Sequence, residues 1–327
     1  MKSITLTAML LVSLFSFAQN EKETTEKKFA FKGSIDAYYR TNVTAPNDEN
    51  QIAPATSFAD TAGFSLGMGN LIASYEKGKA GAVADLVFGP RGEAASATEL
   101  NQLFAFYNIS ENTKLTFGKF NTYLGYEVIS PVGNFNYSTS YLFSNGPFSH
   151  TGLKADFTLS EDFSLMLGVF NQTDVTEFNP NGSYAVGAQL GYSDQYLNLL
   201  YDKAGLGFEI DYTGGFDATD AFFIGINAAY ADNEGEGFYG VDLYPQYTLS
   251  DSFSLGLRGE YFQTQSDAID NDLSVIALTL TGSYMVDDLI IKPELRFDNG
   301  SEDIFIDTDL MATKSLGSFV VAAIYKF

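Results

Sequence analysis

His150 is the only histidine of the 327-residue chain, and the chain has no cysteine. Hydrolysis on a strand surface would need a serine, that histidine and an orienting polar partner. Ser149 is adjacent, but neighbouring residues of a strand point to opposite faces, so it cannot serve His150 as nucleophile. His150 instead shares its phase with Lys154 and Asp156 on a polar face. Without cysteine there is no disulfide framework and no thiolate metal site. No phosphate loop, dinucleotide fingerprint or metal-ligand cluster is legible, so neither a cofactor nor an enzymatic activity is expected. The acidic runs Asp232 to Glu236 and Glu302 to Asp309 could offer oxygens to Ca²⁺. Neither has EF-hand spacing, and solvated loop surface is the simpler reading.

The charges with a pattern lie on strands. From Leu289 to Asp298, Leu289, Ile291, Pro293, Leu295 and Phe297 alternate with Ile290, Lys292, Glu294, Arg296 and Asp298. One face is apolar and the other nearly all ionisable. Phe31 to Arg40 repeats the alternation, with Asp36 and Arg40 on the polar side, and Phe253 to Phe262 repeats it with Arg258 and Glu260. All four arginines, Arg40, Arg91, Arg258 and Arg296, lie on strands or at a strand's outer end. Two readings stand. Rows of opposite charge facing across an aqueous lumen would sort solutes by charge and dipole. Cross-strand ion pairs could equally satisfy one another and fill a closed interior.

The elements that must carry these faces have a period of two, in about 16 segments of about 9 to 13 residues, the length of a tilted strand crossing a bilayer. Polar turns such as 77–79, 110–112, 160–162, 193–195, 250–252 and 287–288 alternate with longer loops at 44–60, 92–98, 125–146, 173–182, 232–237, 265–271 and 299–313. Sorting loops by length to two ends is how an outer-membrane barrel is threaded; a soluble sandwich has no reason to do it. The fold expected is all-β: a transmembrane antiparallel up-and-down β-barrel of about 16 strands. Pro245 and Pro293 fall inside strands, where bulges are expected. Segments 64–76 and 99–110 alternate too poorly for their faces to be assigned.

Lys2, the apolar run Ile4 to Phe17 and the small residues Ser16 and Ala18 form a secretory signal peptide, 1–18. A polar periplasmic leader, 19–28, precedes the barrel, 29–327. The formal charge of −23, from 41 acidic and 18 basic residues, excludes a nucleic-acid partner. The chain is expected to be exported through the Sec pathway to the cell outer membrane, with outer-membrane lipid around it. Its last strand, Ser318 to Phe327, ends on an outward aromatic. Phe327 resembles the C-terminal signal read by the barrel-assembly machinery.

Longer motifs carry a family likeness. Leu124-Gly125-Tyr126-Glu127-Val128, Asn134 to Ser138 and Gly146 to Gly152 form the longest stretch. Tyr239-Gly240, Arg258-Gly259-Glu260-Tyr261, Lys292 to Asp298 and Tyr325-Lys326-Phe327 follow. With these the mature chain resembles the β-barrel porin family described as OmpL-like. The resemblance implies a porin for passive diffusion of small hydrophilic solutes. It also implies that loop 125–146 narrows the pore, with Glu127 as its charge; an ordered loop packed on the rim is the alternative. The residues expected to line the pore are Asp36, Arg40, Glu127, Lys154, Arg258, Glu260, Lys292, Glu294 and Arg296. A homotrimer is expected by analogy with other porins. The competing function is a non-transporting barrel, an adhesin or scaffold acting through its acidic loops.

Overall fold

The structure is a computed structural model that describes residues 27–96, 98–180, 182–267 and 272–327. The signal peptide, and the leader as far as residue 26, lie outside the described residues. Strand β1 starts at Lys27.

Sixteen strands close into one antiparallel barrel, each paired with its sequence neighbour until the last returns to the first. They are β1 (Lys27–Asn42), β2 (Gly63–Lys77), β3 (Ala80–Phe88), β4 (Leu100–Ser110), β5 (Thr113–Asn121), β6 (Ser149–Thr158), β7 (Phe163–Phe170) and β8 (Ala185–Tyr192). There follow β9 (Gln195–Asp202), β10 (Gly207–Thr219), β11 (Phe222–Asn233), β12 (Glu236–Ser250), β13 (Phe253–Ser266), β14 (Ser274–Val286), β15 (Leu289–Gly300) and β18 (Ser315–Lys326). A two-residue pair, β16 (Phe305–Ile306) and β17 (Ala312–Thr313), decorates the loop before β18. Two short helices sit in loops: α1 (Pro90–Ala95) and α2 (Tyr141–Asn145). Closure uses the chain end itself, because Phe327 and Gly33 exchange backbone hydrogen bonds of 3.0 and 2.8 Å. Closure matters in lipid, where an open edge would leave backbone groups unsatisfied.

The barrel is inside-out relative to a soluble protein. Arg258, Asp242 and Asp298 are wholly buried, whereas Phe64 and Phe117 are 92% and 69% exposed. Apolar residues in phase with Phe64 and Phe117 form the belt that meets hydrocarbon, and the ionisable face of the alternation points to the lumen.

The turns at the terminal end are short: 78–79, 111–112, 159–162, 193–194, 220–221, 251–252 and 287–288. The opposite end carries loops 43–62, 89–99, 122–148, 171–184 and 301–314. The sequence reading misses there at 232–237. Asp232 and Glu236 belong to the strands, and only Glu234-Gly235 turn, with φ of +57° and +90°. Two positive φ values make the tight hairpin turn whose twist matches the strands.

Pro245 and Pro293 do not make bulges. Pro245 pairs in register with Ile224, and Pro293 with Val321. Toward β13 and β14 the ladder lapses over two residues and resumes in the same register. Gly282, opposite Pro293, leaves the ring room; a Cβ there would lie 3.4 Å from Pro293 Cγ. A true bulge falls at Asp36, which faces both Gly67 and Met68 of β2. It aims the Asp36 carboxylate inward, where it accepts the Met68 N–H at 3.0 Å.

Candidate functional site: a loop clamped inside the barrel

The connection between β5 and β6, residues 122–148, runs into the lumen instead of over the rim. Its residues join four separate apolar clusters on the inner wall. Leu124 packs with Met166, Phe170 and Leu200, Ile129 with Met68 and Val87, Tyr137 with Tyr38 and Val320, and Leu142 with Phe238 and Phe262.

Glycines on the wall make the seats. A Cβ at Gly187 would lie 2.0 Å from Tyr123 Oη, one at Gly225 2.5 Å from Tyr126 Oη, and one at Gly256 2.4 Å from Phe135 Cε1. Gly240 receives Leu142 in the same way, and Gly67 receives Tyr137. Five loop side chains therefore rest where the wall has no side chain of its own.

The polar contacts are more exacting. Arg258 on β13 forms a 2.7 Å ion pair with Glu127 and donates to the carbonyls of Ser138 at 2.6 Å and Thr139 at 3.1 Å. Glu127 also accepts the Ser140 N–H at 2.7 Å. Arg296 on β15 pairs with Asp298 at 2.9 Å and donates to Thr139 O at 2.7 Å. Lys292 donates to the carbonyls of Pro131 and Asn134. Glu294 takes the N–H groups of Tyr137 and Ser138 at 2.8 and 3.2 Å, and Glu260 takes those of Tyr141 and Leu142 at 2.5 and 3.2 Å. Asp36 accepts the Tyr137 hydroxyl at 2.5 Å. These are charge-assisted bonds in a dry setting, about twice as strong as neutral ones. Burial raises the Tyr137 and Tyr141 hydroxyls well above the usual phenol range, and the adjacent carboxylates of Asp36 and Asp298 raise them further. Both stay protonated donors.

Of the nine residues read from the sequence, the structure brings seven together on this loop: Asp36, Glu127, Arg258, Glu260, Lys292, Glu294 and Arg296. Each is at most 7% exposed. They touch the loop rather than water, and the strand charges sit on neighbouring strands of one wall rather than as rows across the lumen. Arg40, 1% exposed, is apart from them; it donates to the Asp60 carbonyl of loop 43–62. Lys154 alone stays accessible, its side chain 23% exposed and 3.0 Å from Asp156. His150 is buried against Phe170 with Nε2 3.0 Å from the Thr122 hydroxyl.

Residues 28–327 match the family model described as "Putative beta-barrel porin-2, OmpL-like". The chain belongs to that family. This OmpL-like porin is thus a channel of the cell outer membrane rather than an enzyme. Its fold resembles the outer-membrane channel DcaP of Acinetobacter baumannii, at 15% identity and a TM-score of 0.62, covering 94% of this chain and 99% of that one. It also resembles an anion-selective porin from Comamonas acidovorans, at 12% identity and a TM-score of 0.62, covering 92% and 100%. A third likeness is OmpT of Vibrio cholerae in its trimer form, at 12% identity and a TM-score of 0.58, covering 92% and 99%. At such identities the likeness is one of fold. No curated protein matches the chain in sequence.

Several anchors of the OmpL-like porin's loop escaped the sequence reading. Asp211 accepts the Gly125 N–H at 3.0 Å, Asn227 accepts that of Tyr126 at 3.2 Å, and Arg91 donates to the carbonyls of Ile129 and Tyr137 at 3.0 and 3.1 Å. Phase could have found Asp211, since Phe208 and Ile210 flank it on the outer face. Arg91 stands on α1 in a loop, where strand parity carries no information.

Proposed function

We propose that this porin passes small hydrophilic solutes by passive diffusion, through an aperture set by loop 122–148. One observation carries the reading: the loop lies inside the barrel and is held by the Arg258–Glu127 pair, both partners almost wholly buried. A loop fastened at this depth keeps a fixed cross-section, because each buried charge would be costly to leave unpaired. Seven of the sequence-read charges act on passage by positioning the loop, and Lys154 acts by facing the solute.

The same structure supports a setting for the channel. The exposed apolar belt suits outer-membrane lipid, and Phe327, 51% exposed beside Phe31 at the closing seam, suits recognition by the barrel-assembly machinery. The trimer form of OmpT, a protein of the same fold, supports a homotrimer here. Swelling of proteoliposomes in neutral sugars of graded size tests the function. Small sugars should enter and larger ones be excluded. No swelling in any sugar would favour a non-transporting barrel.

A further inference from the structure

The loop's polar anchors are unevenly spread around the barrel. They fall on β8 and β9, through Gln189 and the Leu199 carbonyl, on β10, β11, β13, β14 and β15, on β1, and on α1. Among the described residues, β4 to β7 offer it one polar contact, between Thr122 and His150 near the outer rim. Below that contact the inner face of β4 to β6 carries half-buried groups that no loop residue covers by a hydrogen bond: Phe104, Phe106, Asn108, Lys114, Lys154 and Asp156. At the terminal end this wall opens on a hollow of about 850 Å³ lined by Asn108, Lys114 and Asp156, with Lys79 and Glu111 at its lip.

The wall has a specific chemistry. The Lys114 ammonium stands 4.4 Å from the centre of the Phe106 ring, and the Lys154 ammonium 5.5 Å from that of Phe120. Asp156 neutralises Lys154 at 3.0 Å. Lys114 sits directly opposite Asp156 in the strand register, yet among the described residues it has no carboxylate partner within ion-pair distance. At the lip, Lys79 and Glu111 offset each other in charge. The wall therefore holds one uncompensated cation, fixed on an aromatic face and open to water. Arg258, Lys292 and Arg296 of the opposite arc, by contrast, are spent on loop carbonyls and carboxylates.

We infer that the solute path runs along β4 to β6, and that Lys114 with Phe106 forms a subsite for small carboxylates bearing an apolar or aromatic face. The carboxylate meets the ammonium while the apolar face lies along the ring, two contacts that a simple inorganic anion cannot make together. A cation on a ring face contributes modestly, so the site favours passage over retention. This rests on the channel reading proposed above.

The test uses purified full-length protein in planar bilayers. Under a KCl gradient, Lys114→Gln should lower the anion-to-cation permeability ratio roughly two- to five-fold. Benzoate should reduce the wild-type chloride current more than acetate does, and Phe106→Leu should remove that difference. An unchanged ratio in Lys114→Gln, or equal effects of benzoate and acetate on the wild type, overturns the subsite and leaves the channel standing. Absence of any conductance in the wild type overturns both.

Discussion

The inner wall has two arcs of opposite character. From β13 through β15 to β1 it presents charged side chains such as Arg258, Glu260, Glu294 and Arg296, buried and bonded to the loop or to a neighbour. From β4 to β7 it presents rings, glycines and lysines, and the loop barely touches it through polar groups. Both arcs look ionisable or amphipathic in sequence, yet one serves architecture and the other faces water. The difference teaches that a charge pointing into a barrel is not thereby a charge offered to solute. What decides is whether another segment reaches it first.

Substitutions should separate the arcs by size of effect. Arg258→Ala leaves Glu127 buried without its cation, and should cost about 3–5 kcal/mol in denaturant unfolding from micelles. Conducting events should become noisy as the loop loosens. Arg258→Met combined with Glu127→Met removes both charges and should lie closer to wild type than Arg258→Ala alone. A loss in the double variant equal to that of the single would deny that the pair works as a unit.

Gly256→Ala should cost about 1–3 kcal/mol, because its Cβ would meet Phe135 at 2.4 Å. Gly259→Ala, three residues on and facing lipid, meets only Leu278 at 3.7 Å and should stay within about 0.5 kcal/mol of wild type. Equal effects at the two positions would mean the inward glycines are not seats for the loop.

The open arc should respond weakly as well. Lys154→Gln breaks a pair that is partly in water, 3.0 Å from Asp156, and should change stability by less than about 1 kcal/mol. A loss as large as that of Arg258→Ala would erase the distinction between the arcs.

Much of the barrel was legible because alternation is a local property. Leu289 to Asp298 declares both faces within ten residues, and Lys292, Glu294 and Arg296 do point inward. What parity cannot say is which segment an inward charge will meet. The bonds from Glu294 to Tyr137 and from Arg258 to Glu127 join residues 157 and 131 positions apart. The glycine seats were hidden for the same reason, since Gly225 and Gly256 gain meaning only when Tyr126 and Phe135 arrive. The turn at Glu234-Gly235 was misread because clustered acids resemble a loop even when Asp232 and Glu236 lie in paired strands.

The most direct measurement replaces residues 129–138 by a glycine-serine linker of equal length and compares single-channel conductance with wild type, after heat-modifiability on gels has established that the barrel folds. An aperture set by the clamped loop requires a conductance several-fold larger in the linker variant. A folded variant with unaltered conductance would contradict it and place the narrowest point elsewhere in the barrel.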